Sequence, residues 1–173
     1  MTYDHAARVS AIVAALEEAI ARFRARLASA DQAGAERVPA DGGWSAAQVA
    51  AHVAAVNGSF ASIIDGTFAI AQPPAGDFVE RAWQEIGGAM PEKLQAPSRV
   101  HPPGAVTRDE ALASIDASGA KLVAALRGVD ADRARWTMDS PIVGRVSLYQ
   151  VGEWATAHLI RHNKQIKRLL DVS

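Results

Sequence analysis

Apolar positions recur at three- and four-residue steps in four long segments of this chain, and that period predicts four amphipathic helices. In the first, Val9, Ile12, Val13, Leu16, Ile20, Phe23 and Leu27 mark a helix from near Asp4 to Ala28. A loop over 29–43, rich in Ala, Gly and charge, follows it. The second segment opens at Ser45-Ala-Ala-Gln48, a capping-box pattern in which each side chain reaches the other residue's backbone N–H. Its stripe is Val49, His52, Val53, Val56, Phe60 and Ile63, and it ends near Asp65-Gly66. Gly58 within it is a mild cost that the pattern survives. The third opens at Thr107-Arg-Asp-Glu110, carries Leu112, Ile115, Leu122 and Leu126, and is expected to close on Gly128. The fourth opens at Ser147-Leu-Tyr-Gln150 and runs to about Leu170.

Between these segments the pattern weakens. Residues 73–104 hold most of the prolines, with a short helix expected over roughly 78–86. Residues 129–146, with Trp136, Pro141 and Gly144, read as irregular. Neither a convincing strand pair nor a repeat is visible. The expected fold is therefore all-α, a four-helix bundle formed by one domain over 1–173. The long connection over 66–106, between the second and third helices, argues against a simple up-down-up-down order.

Composition narrows the function. At 173 residues, 49% hydrophobic and 21% charged, the chain is long and apolar enough for a packed core. The net charge is -1 and no basic block stands out, so nucleic-acid binding is not expected. The densest cationic cluster, Arg161, Lys164, Lys167 and Arg168, reads as the solvated face of a helix C-terminus. The absence of cysteine removes disulfides, thiolate metal ligands and a cysteine nucleophile together, and it fits a reducing cytoplasm. The N-terminus lacks the pattern of a signal peptide, and no uninterrupted apolar run has membrane-spanning length. A phosphate-cradling glycine loop and a Gly-x-Ser-x-Gly motif are both missing.

The chemistry that remains lies in histidines. His158 and His162 stand four apart, on the face that also carries Val151, Trp154, Ala155, Leu159 and Gln165. Residues so spaced project one turn above each other, and both imidazoles can reach one cation. His52 lies on the apolar stripe of the second helix, where it can supply a third nitrogen. Such a site leaves coordination positions open, as catalytic metal sites do. The plain alternative is three hydrogen-bonded core histidines. Against it, three buried imidazoles need three polar partners, and one metal satisfies them all. His5 is expected in solvent, and His101, before Pro102-Pro103, reads as loop decoration, with an approach to the site as the other option. Trp154 reads as core, with a place in a pocket lining as the other option; Gln165 either orients His162 or a bound water, or is a boundary polar residue.

The run Gly42-Gly43-Trp44-Ser45, then Ala51-His52-Val53, and the terminal His158-Leu-Ile-Arg-His162-Asn-Lys-Gln165-Ile166 resemble the DinB/YfiT-like metal-binding superfamily. The resemblance implies an up-down-down-up bundle and a divalent metal held by His52, His158 and His162. It also implies a tendency to dimerise. Relatives include thiol-dependent S-transferases, a thiol-dependent maleylpyruvate isomerase, and proteins described as metal-dependent hydrolases.

Three functional expectations follow. The leading one is a metal-dependent transferase that activates a low-molecular-weight thiol co-substrate for attack on a small electrophilic substrate. The second is a metal-dependent hydrolase. It usually wants a general base, yet Glu153 falls off the histidine stripe and Asp65 ends its helix, leaving loop residues such as Asp77 or Glu80. The third is a non-enzymatic metal- or ligand-binding bundle. Zn and Ni are the first choices for the metal, and Fe, Mn and Co remain open. A cytoplasmic homodimer, with no nucleic-acid or membrane partner, completes the expectation.

Overall fold

The computed structural model describes residues 4–91 and 94–171. Helix α1 (His5–Ser29) starts where the Asp4 carboxylate accepts the Ala7 N–H. A short helix α2 (Gln32–Glu36), capped by Asp31, interrupts the expected loop. Helix α3 (Ala46–Asp65), helix α5 (Arg108–Gly128) and helix α6 (Leu148–Leu170) each begin with a completed capping box, on Ser45/Gln48, Thr107/Glu110 and Ser147/Gln150. Helix α4 (Trp83–Gly88) lies in the long connection, later than the expected 78–86. Residues before it are held out of helix: Glu80 pairs with Arg8, and the Arg81 carbonyl accepts a hydrogen bond from Gln150 Nε2 at 2.7 Å.

A strand pair exists where none was expected. Strands β1 (Thr137–Ser140) and β2 (Gly144–Ser147) form an antiparallel hairpin with Thr137 opposite Ser147. Its turn is closed by Ser140 Oγ, which accepts the Ile142 N–H at 3.1 Å. Gln72 exchanges backbone hydrogen bonds with Thr137, which ties the long connection to the hairpin. Gly128 is the last helical residue of α5 rather than a left-handed cap. The helix ends instead on Val129, whose N–H reaches Ala125 O and whose side chain is buried.

Cross-helix contacts fix the directions of the four long helices. His5 meets Tyr149 and Arg26 meets Asn163, so α1 and α6 run parallel. Arg24 meets Asp116 and Glu17 meets Arg127, so α1 and α5 are antiparallel. Gln48 meets Gly104, just before α5, and Ser62 meets Lys121, so α3 and α5 are parallel. His52 meets His158 and Phe60 stacks on Trp154, so α3 and α6 are antiparallel. The order is up-down-down-up, and the connection over 66–106 is the crossover that a parallel α3–α5 pair demands.

The core runs down the middle of the bundle, with Leu16, Phe23, Ile115, Leu122, Leu126, Leu159 and Ile166 at most 1% exposed. Gly152 sets the closest approach: a Cβ there would lie 2.8 Å from both Ile12 Cγ2 and Leu126 Cδ2. Helix α3 has the length and apolarity of a membrane span, but 67% of that window is buried within the bundle. It reads as the core helix of this fold. Asn57, on α3, is fully buried, and neither atom of its amide has a hydrogen-bond partner among the described residues.

Candidate metal centre

Helix α3 presents His52 two turns after its capping box, and α6 presents His158 and His162 one turn apart. Because the helices are antiparallel neighbours, all three rings arrive at one level. The Nε2 atoms converge: His158 Nε2 lies 3.2 Å from His52 Nε2 and 3.1 Å from His162 Nε2. The three candidate ligand atoms all fall within 4.8 Å of one another. His52 is 3% exposed, and the two α6 residues are partly buried. The site therefore opens on the α6 side.

Partners at Nδ1 decide which nitrogen faces the centre. His52 Nδ1–H donates to the Val100 carbonyl at 2.8 Å, and His162 Nδ1–H donates to Gln165 Oε1 at 2.7 Å. These assignments follow from the acceptors, which have no proton to give. They place a lone pair on each Nε2, aimed at the other rings. His158 Nδ1 is buried and has no partner among the described residues. With two lone pairs pointed at His158 Nε2, a proton there can satisfy only one of them. A single cation satisfies all three, and the donor set suits a divalent transition metal.

Electrostatics keeps the rings in their ligand form. Burial pushes His158 well below the ordinary imidazole range, and the neighbouring histidines and Arg161 add to this. Burial also takes His162 down to about 4, with the Gln165 hydrogen bond opposing and His52 and Arg161 reinforcing. His52 is lowered by burial, against the stabilising pull of Val100 O. All three are neutral at neutral pH, so their nitrogens need not be stripped of protons before binding a cation.

The surroundings settle several sequence expectations. Gln165 is the orienter of His162, one turn on from it. Trp154 is core, 8% exposed and packed on Phe60 at 4.9 Å between ring centroids. His101 is not brought to the three Nε2 atoms; its ring packs edge-on against Trp44 at 5.5 Å, and Trp44 lies 5.1 Å from the His52 ring. His5 is not left to solvent alone, since its Nδ1 is 2.7 Å from the Tyr149 hydroxyl. Glu80 and Glu153 both turn to Arg8, in a cleft of about 570 Å³ that excludes the three histidines. Asp65 is bound to Thr67 at the end of α3. Among the described residues, no carboxylate bears on any of the three imidazoles. The Val100 carbonyl was beyond sequence reasoning, because a backbone acceptor leaves no mark in residue type.

The profile of the DinB superfamily matches residues 15–166, which include both helices of the centre. The chain belongs to the DinB superfamily. No curated protein matches it. Membership agrees with the all-α bundle and with a three-histidine cluster able to hold a metal ion. Within this DinB bundle the centre is built by helices α3 and α6, while the crossover supplies the outer hydrogen bond to His52.

Proposed function

We propose that this DinB superfamily chain is a metal-dependent transferase that joins a low-molecular-weight thiol to a small electrophile. One observation carries the reading: the Nε2 atoms of three neutral imidazoles converge, and Nδ1 of His52 and of His162 is already committed elsewhere. His52, His158 and His162 would hold a divalent cation, Zn or Ni first among the candidates. Such a cation supplies Lewis acidity, which makes a coordinated thiol a thiolate at neutral pH. The protein's own part is positional. Val100 O and Gln165 Oε1 lock two rings, and the packed bundle behind them keeps water from that side. His52 and His162 use both ring nitrogens, so neither serves as a proton carrier. In the overall transfer the sulfur forms a bond to electrophilic carbon, the thiol proton passes to solvent, and the displaced group leaves with the bonding electrons.

Hydrolysis ranks lower, because a water nucleophile usually wants a nearby base. Among the described residues no carboxylate bears on the imidazoles. The expected homodimer belongs to the same proposal, and sedimentation equilibrium tests it.

The deciding experiment is metal analysis of untagged protein beside His158→Ala, followed by a screen of thiols against a fluorogenic electrophile. The expected result is about one divalent ion per chain, as a three-imidazole site predicts, lost in the variant, with thiol transfer abolished by chelation. Transfer that survives metal removal refutes the mechanism. Metal bound without turnover for any thiol favours a non-enzymatic binding bundle.

A further inference from the structure

His162 and His52 are oriented in different ways. The acceptor for His162 comes from its own helix, three residues on, and arrives whenever α6 forms. The acceptor for His52 comes from a residue 48 positions away, in the irregular crossover. A carbonyl in such a segment points at His52 only if the segment around it is built to do so.

His101, an exposed residue of the crossover, ties the turn that carries Val100. Its Nε2–H donates to Ala96 O at 2.8 Å, and its backbone N–H donates to Ser98 O at 3.0 Å. These bonds wrap the chain around a 3₁₀ turn over Ser98–Val100, whose Val100 side chain is 5% exposed. Pro102 restricts His101 to extended backbone, and the observed ψ of 144° fits. On the far side, Gln48 Nε2 clamps Gly104 O at 2.9 Å. The His101 ring then stands edge-on to Trp44, interplanar angle 71°, and Trp44 leans on His52 at 39°. Trp44 thus touches the ligand ring directly, while the turn beneath His101 delivers the carbonyl to the same ring.

We propose that His101 is a positioning residue of the three-histidine centre. It fixes Trp44 and the 96–101 turn, and these hold His52 with its Nε2 toward the metal position. The inference rests on the metal reading above. It reverses the expectation of loop decoration, without making His101 a ligand. Removing the ring frees the turn to shift, and His52 then loses both its acceptor and its flanking ring. Outer partners of metal-bound histidines carry about 10–100-fold in affinity, and the effect here should lie in that range.

The test measures zinc affinity by chelator competition for the full chain and for His101→Ala, His101→Phe and His101→Gln. The same proteins, metal-free, are followed by thermal unfolding. His101→Phe keeps a ring against Trp44 without the Nε2 donor, and His101→Gln keeps a donor without the ring. The expected result is at least tenfold weaker zinc binding in His101→Ala, intermediate losses in the other two, and an unchanged metal-free unfolding midpoint. The Co(II) absorption spectrum should shift in His101→Ala, which a purely structural role would not cause. Wild-type affinity in His101→Ala overturns the inference and leaves the metal reading standing. A loss matched by an equal fall in metal-free stability overturns it as well. Wild-type protein that binds neither zinc nor cobalt removes the metal reading and this inference together.

Discussion

Acid titration of the metal-free protein gives a direct measure of how His162 is held. In the folded chain its pKa is about 4, and burial is the first cause. In the unfolded chain it returns to about 6.5. The unfolded state therefore takes up the proton first as pH falls. Stability is full above pH ~6.5, declines through the window down to pH ~4, and levels off below it. At pH 5 the two pKa values give a loss of about 2 kcal/mol for this one residue, because a tenfold difference in proton affinity is worth about 1.4 kcal/mol. His158 and His52 are lowered in the same direction and add to the slope. The comparison that reports on His162, together with its coupling to His158 and His52, is urea unfolding of chelator-treated wild type and His162→Leu at pH 7, 6 and 5. Carboxylates elsewhere titrate in both proteins and cancel in the difference. Wild type should lose about 2 kcal/mol more than the variant between pH 7 and 5. Parallel losses would show that His162 is solvated in the folded state, and the argument for three neutral imidazoles would fail with it.

Three further outcomes follow from other parts of the bundle. Asn57→Leu should raise stability by roughly 1–3 kcal/mol, because it removes a fully buried amide with no partner on either atom among the described residues; a fall in the urea midpoint would mean that the amide is satisfied after all. Gly152→Ala should cost about 1–3 kcal/mol, since its methyl would press on Ile12 and Leu126 at 2.8 Å; calorimetry that finds no change contradicts the close approach of α1, α5 and α6. Gln165→Leu should weaken zinc binding by roughly 10–100-fold with little effect on folding, and isothermal titration reads this directly.

Legibility in the sequence followed the range of the interactions. The three capping boxes span four residues each, so Ser45/Gln48, Thr107/Glu110 and Ser147/Gln150 were visible and all close as expected. His158, His162 and Gln165 belong to one helical face, and their mutual geometry follows from the period alone. His52 could be placed on a buried face, but its meeting with α6 depends on the antiparallel pairing of two helices far apart in the chain. The hairpin was hidden for a different reason. Its strands are four residues long, mix polar and apolar positions, and are supported by Gln72 and by the Ser140 hydroxyl rather than by a β-rich sequence. Helix α2 is a single turn and a half held by Asp31, too short to show a period. The crossover is anchored by backbone carbonyls of Arg81, Val100 and Gly104, to which any residue type contributes equally.

One of those anchors also orders events during folding. Gln150 completes the capping box of α6 with Ser147, and the same side chain donates to Arg81 O, 69 positions earlier in the chain. The turns of α6 that carry His158 and His162 rest on contacts within a single helix and can form in the first microsecond or so. The first turn of α6 is different, because its full set of bonds waits until a loop of that length has closed. Helix α6 should therefore mature from its C-terminal half toward its start, with the pair of histidines in register before the crossover docks. His52 meets them across 106 positions, a wider closure than the 69 that complete the first turn.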